Sequence, residues 1–248
     1  MNIDVTKLRA SNDALFERMY GAATPDRPIK RLERGKPHQK YWSETRQREV
    51  PGASTIAKIG SDSGGLLYWA WDLGKQGKDY RKERDKAADI GTLAHFMIEC
   101  EIQGLQPDLS EFPMVDIDAA GVPYYTAVQW WEQQGLTPIA PEMQLVSEEH
   151  GYGGTIDMPC RSRDGCLALL DWKTSKAIWP EHIIQVSAYE KLLEEKFKEK
   201  VDRRCIVRIG KDGSFEARWL GDLSEYFHVF KAQLALYKAK LSAGLIKK

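Results

Sequence analysis

The stretch from Gly151 to Tyr189, GYGGTIDMPCRSRDGCLALLDWKTSKAIWPEHIIQVSAY, constrains the fold more than any other part of the chain. It contains two apolar strand-like runs, with Asp157 in the first and Asp171 at the end of the second. Side chains alternate along a strand with period two, so Asp171 and Lys173 are expected on one side and Trp172 on the other. The segment RSRDG, Arg161 to Gly165, reads as a hairpin loop, and an antiparallel hairpin brings Asp157 near Asp171. Two carboxylates and an ammonium at one end of a sheet are costly for a purely structural strand, because like charges repel and a desolvated charge is expensive. A bound divalent cation removes the repulsion and gives the lysine a role.

Around this stretch the pattern alternates between helical and extended. A short helix is expected over Val5 to Met19, followed by an arm rich in Pro, Gly and charge to residue 53. Ser54 to Ile59 reads as a helix capped by Ser54. After Gly64-Gly65 the helical pattern resumes over Leu66 to Leu73. A long helix follows from Tyr80 to Gln103, with Ala87, Ile90, Ala94, Met97 and Ile98 at helical spacing. Gly91 inside it costs about 1 kcal/mol relative to alanine, which a close approach by another backbone would explain. Residues 104–121 read as an acidic, irregular connection. Pro123 to Gln134 reads as a helix with Pro123 in its first turn and Gly135 past its end. Three strand patterns come next, IAPEMQLV, GGTIDMPC and CLALLDWK, then a helix over Pro180 to Lys196. A second hairpin turns at Lys211-Asp212-Gly213, and Asp222 to Leu241 closes the chain as a helix.

This order predicts an α/β (α+β) fold with a central mixed sheet flanked by helices and an N-terminal helical elaboration. One domain is expected over residues 1–248: a helix and basic arm (1–53), a helical part (54–135), a sheet core (136–220) and a C-terminal helix (221–248). Formal net charge is zero, so no overall field draws in nucleic acid. Eight Lys/Arg stand against Glu33 and Glu44 between Arg27 and Arg48, a segment suited either to phosphates or to plain solvation. Cys100, Cys160, Cys166 and Cys205 form no CxxC pair, which suggests neither zinc nor a disulfide framework and fits a reducing, cytoplasmic setting. No signal peptide, membrane span or lipidation motif is visible, so no membrane partner is expected.

GTLAH (Gly91 to His95), Pro141-Glu142, GGTID (Gly153 to Asp157), LLDWKTSK (Leu169 to Lys176) and QVSAY (Gln185 to Tyr189) together resemble the PD-(D/E)XK nuclease superfamily, in particular its RecB-like exonuclease branch. The resemblance spans about residues 54–190 and implies a restriction-endonuclease-like core. It implies that Asp157 and Asp171 are metal-binding carboxylates, with the Trp172 backbone carbonyl and His95 as further ligands. Lys173 would position the attacking water or stabilise charge near it, and Glu142 would tune the site. Gln185 and Tyr189, four apart on one helix face, would contact the lysine or the nucleic acid. Some relatives carry four cysteines for an iron-sulfur cluster; the spacing here predicts none, which places the chain nearest the clusterless phage and mitochondrial exonucleases. The expected cofactor is Mg2+ or Mn2+, one or two ions, and the expected partner is DNA. A recombination or single-strand-annealing protein partner, and a phage setting with residence in the host cytoplasm, belong to the same expectation.

Each of these residues also has a plainer reading. Asp157 could end a hairpin, Lys173 could be a solvated strand-end lysine, His95 could be a core histidine, and Gln185 could face solvent. The shared side of Asp171 and Lys173, and GGTID beside DWK, favour a site. Glu148 and Glu149 read as turn residues. Trp69, Trp71, Trp130 and Trp131 are assigned to the core, although tryptophans also stack on unpaired bases. Arg31, Arg34 and Lys40 on the basic arm are candidate DNA contacts. Three functions remain open: an exodeoxyribonuclease in recombination, repair or replication; a structure-specific endonuclease of the same fold; and a non-catalytic DNA-binding or assembly module.

Overall fold

A computed structural model describes residues 41–61, 64–210 and 214–246. The expected helix over Val5 to Met19, the arm residues Arg31, Arg34 and Lys40, and the turn at Lys211 to Gly213 lie outside the described residues. The architecture is mixed α/β. A five-stranded sheet runs in the order β3 (Thr137–Pro138), β6 (Met158–Arg161), β7 (Leu167–Lys173), β8 (Val201–Ile209), β9 (Phe215–Leu220). Only β7 and β8 are parallel; the other neighbours are antiparallel. Helix α5 (Pro180–Phe197) makes the crossover between those two parallel strands. Two smaller ribbons flank the sheet: β1 (Tyr41–Ser43) with β2 (Arg48–Val50), and β4 (Met143–Ser147) with β5 (Tyr152–Ile156).

β7 reads LALLDWK because it is covered on both faces, as expected of a strand with a parallel neighbour. Leu167 and Leu169 enter one core with Ile56, Val186, Leu192 and Phe230, contributed by α1 (Ala53–Ala57), α5 and α6 (Ser224–Ser242). Ala168, Leu170 and Trp172 enter the other with Leu93, Met97 and Tyr124, from α3 (Tyr80–Ile102) and α4 (Met114–Gln134). The two cores are the two interfaces of an α/β/α sandwich. Burial of each leucine contributes about 1.5–3 kcal/mol. By the same alternation Asp171 and Lys173 face the layer that holds α5.

α3 begins at Asp79, whose carboxylate accepts from the amides of Arg81 (2.8 Å) and Lys82 (3.3 Å), and its apolar stripe Ile90–Leu93–Ala94–Met97 carries it onto the sheet. Gly91 does mark a close approach, but to a side chain: a Cβ there would overlap Thr174 Oγ1, just past β7.

Four readings of the sequence are corrected. Ser54 is not a cap; α1 begins after Gly52, whose carbonyl receives the amides of Thr55 and Ile56 and which bridges to Gly153. α4 begins at Met114, so Pro123 sits inside it. A mid-helix proline costs about 3 kcal/mol, and burial of Ala120, Tyr124 and Ala127 against α3 outweighs it. GGTIDMPC is not one strand but two, belonging to different sheets and breaking at Asp157. On α2 (Gly64–Lys75) Trp71 is 56 % exposed, and Trp69 meets the Tyr80 ring edge-on at 5.3 Å; the helix rests on α3 by one side only. Trp130 does join the core, its ring 6.0 Å from that of Trp172.

Candidate active site

The sheet register sets the site. β6 and β7 pair antiparallel with Met158 opposite Leu170, so Asp157 falls beside Asp171 one step beyond the last pair. The Asp157 Oδ2 accepts the Trp172 backbone N–H at 2.9 Å. Asp171 is fully buried, and Lys173 Nζ lies 2.5 Å from its Oδ2. Opposite Asp157 the neighbouring chain bends as well. Glu142 has a left-handed backbone, φ 53°, and its amide donates to the Asp157 carbonyl at 3.0 Å. A glutamate in that region is strained by about 1 kcal/mol or more, a cost typical of side chains held for a purpose. Two strands thus break at one level, and each break carries a carboxylate.

The glycines of GGTID make room for two tyrosines. A Cβ on Gly153 would collide with the Tyr41 ring, and one on Gly154 would come within 2.6 Å of the Tyr189 ring. They lie on opposite faces of β5, as adjacent strand residues must. Tyr41 shares a hydrogen bond with Thr155 Oγ1 at 3.0 Å. Tyr189 accepts from Gln185 Nε2 at 2.6 Å along α5.

The electrostatics are lopsided. Asp157, Asp171 and Glu142 share the neighbourhood with one lysine. Burial is the main force raising the Asp171 carboxyl, to about 7; Asp157 and Glu142 raise it too, against the pull of Lys173. Burial opposes the charge on Lys173, but Asp171, Asp157 and Glu142 outweigh it and hold the ammonium above its ordinary value. Burial raises Tyr189 well above its ordinary value, and Asp171 and Asp157 add to it. Burial is the larger cause for Asp171 and Tyr189, and in all three groups the neighbouring carboxylates push the same way. Moreover, among the described residues Asp171 Oδ1 has no hydrogen-bond partner, and Oδ2 meets only the Lys173 ammonium. Buried polar atoms without partners are rare and call for a ligand, ion or water. The donors here are hard oxygens, which fit Mg2+ or Mn2+.

His95 stands on α3 in the wall of a cleft of about 260 Å³, with Ala88, Gly91 and Thr92; Trp172 to Ser175 form the other wall. The structure therefore brings His95 to the same strand end as Lys173. It does not bring ligand atoms of His95, Asp157 and Asp171 within 4.8 Å of one another. Among the described residues that separation is met only by Glu149, His150 and Glu195, at the turn end of the β4–β5 ribbon, opposite the end that meets Asp157.

Three further residues bear on this region. Glu148 is a clasp and not merely a turn residue: it accepts from the Ser43 hydroxyl (2.5 Å) and the Glu44 amide (2.9 Å), pinning the β1–β2 ribbon that carries Tyr41. His182, in the first turn of α5, lies on the same face as Gln185 and Tyr189; its spacing of three and seven was visible in the sequence. Tyr41 gave no signal, because its contact to Gly153 spans more than a hundred positions. The four cysteines are free, and three of them are buried. No helix among the described residues is long and apolar enough to cross a membrane.

No protein-family model matches the chain. No curated protein matches it either. Among solved structures, a candidate exonuclease from Eubacterium rectale aligns with a TM-score of 0.43 at 12% identity, over 64% of this chain and 69% of that one. An alkaline exonuclease from Laribacter hongkongensis aligns with a TM-score of 0.35 at 13% identity, over 79% of this chain and 95% of that one.

Proposed function

We propose that the chain is a metal-dependent deoxyribonuclease of the PD-(D/E)XK type, an exonuclease of the RecB-like branch that works in DNA recombination, repair or replication. The observation that carries this reading is Asp171: a buried carboxylate with no ordinary hydrogen bond, ion-paired to Lys173 and crowded by Asp157 and Glu142. Asp157, Asp171 and the Trp172 carbonyl, with His95 from the cleft wall, are the residues that would hold Mg2+ or Mn2+. Such an ion supplies Lewis acidity at the phosphate and makes water a better nucleophile near neutral pH.

The protein's own groups divide the remaining work. Lys173, anchored by Asp171, donates hydrogen bonds to the attacking water or to the scissile phosphate. Asp157 is held in place by the Trp172 amide. Glu142 adds negative charge beside it and tunes the pair. Gln185, oriented by its bond to Tyr189, faces the lysine or the strand. Arg31 and Arg34 would add phosphate contacts.

End-labelled single- and double-stranded DNA, incubated with magnesium or manganese and compared with a closed circle, tests the reading. Mononucleotide release from linear DNA alone is expected, and it should fall by about 10²–10³-fold in Asp171→Asn and Lys173→Met. Equal cleavage of the circle would make the enzyme an endonuclease, and no cleavage with any divalent ion would sink the assignment.

A further inference from the structure

The acidic side of the site has a counterpart on α5. His182 sits one turn before Gln185 and two before Tyr189, on the face of α5 that meets the site. Its Nδ1 accepts the backbone N–H of Trp179 at 3.2 Å. That bond fixes the tautomer: Nδ1 is an acceptor, so the ring proton is on Nε2. Nε2 has no hydrogen-bond partner among the described residues. Lys58 ends α1, which packs on α5 through Ala53, Ile56 and Ala57, and lies close enough to His182 to act on its charge, as Lys173 does. Burial, then Lys173, then Lys58 hold the His182 imidazole far down, at about 3, so the ring stays neutral. A neutral ring whose free nitrogen carries its proton cannot ligate a cation, and both nearby charges that act on it are positive. It suits an anion.

We propose that His182 and Lys58, beside Lys173, form a phosphate-binding corner in which the His182 Nε2–H donates to a backbone phosphate of the bound DNA strand. The inference rests on the nuclease reading for the identity of the strand. The plainer role is a helix cap, since Nδ1 closes the first turn of α5, and the test must separate the two.

Two substitutions do so. Glutamate and glutamine are the usual residues at this capping position, and both accept from the Trp179 amide. Only glutamine also donates. His182→Gln is expected to bind a short fluorescein-labelled single-stranded oligonucleotide within about twofold of the unaltered protein. His182→Glu is expected to bind about tenfold more weakly or worse, with the same Tm, as befits a hydrogen bond to a charged group. His182→Met, neutral and without a donor, should weaken binding as well, and so should Lys58→Met. Inorganic phosphate should compete with the oligonucleotide for the unaltered protein and for the Gln variant.

Binding is read in EDTA, so the result does not depend on cleavage. If the unaltered protein binds but never cleaves with added metal, the nuclease reading fails while the His182 comparison can still succeed. The inference is overturned if the Gln and Glu variants bind alike, if His182→Met binds as well as the unaltered protein, or if the unaltered protein does not bind the oligonucleotide at all.

Discussion

Two buried ion pairs stand close together in this molecule and differ in kind. Glu190 on α5 and Arg204 on β8 meet at 2.5 Å, and Asp171 and Lys173 on β7 meet at the same distance. Arg204 also donates to the carbonyls of Val201 (2.5 Å) and Asp202 (3.3 Å), and among the described residues its Nε has no acceptor. Burial raises the Glu190 carboxyl, and Arg204 is the main group drawing it back. That pair is nearly closed on itself. Asp171 has an Oδ1 with no partner among the described residues, and two carboxylate neighbours instead. Equal distances conceal different surroundings: one pair is closed on itself, and the other is crowded by further carboxylates. What distinguishes the two pairs is their surroundings.

The contrast breaks most visibly in stability. Arg204→Met leaves Glu190 buried and unpaired and should cost about 3–5 kcal/mol in urea unfolding. Lys173→Met should cost less than about 1 kcal/mol, because a carboxyl already raised to about 7 takes a proton cheaply at neutral pH. Asp171→Asn should leave stability unchanged or raise it, since it removes a repelled charge. Cleavage should fall by about 10²–10³-fold in both site variants, measured against the intact enzyme.

A gentler test is ion binding itself. Magnesium or manganese at about a hundred times its Kd should add about 2.7 kcal/mol and raise Tm by several degrees. The Asp171→Asn protein should show no such rise, and Glu190→Gln should keep it. A rise that survives in Asp171→Asn but disappears in Glu195→Gln would point to the Glu149–His150–Glu195 cluster as the ion's position.

The smallest effect concerns the clasp. Hydrogen bonds from Ser43 and Thr45 hold the half-buried Glu148 carboxyl at about 2, below its ordinary value of 4.5. A folded-state pKa that is depressed stabilises above the ordinary value, and the contribution fades as pH falls from 4.5 toward 2. Glu148→Gln should therefore flatten the acid limb of a pH–Tm profile slightly, without altering the profile above pH 6 or so.

The sequence disclosed what local periodicity governs. The stripe of α3, the double-sided burial of β7 and the shared side of Asp171 and Lys173 all follow from period counting. The seam at Asp157 did not show, because a strand that changes sheets keeps its alternation and only its partners change. Tyr41 and Glu148 act across about a hundred positions, which no local pattern records. The α2 tryptophans misled because helical spacing of aromatics is the same whether a helix is covered or bare, and Trp71 is bare. Proline at 123 misled for the opposite reason: packing against α3 overrode a strong local preference.

Asp157 belongs to neither sheet, whereas Asp171 is embedded in one. The gap between them is set by the β6–β7 register and by the Trp172 amide that holds the Asp157 carboxylate, and the left-handed Glu142 is bonded to the same break. Asp157 is thus seam and candidate site at once: the residue at which one ribbon ends is the one the other sheet's backbone holds.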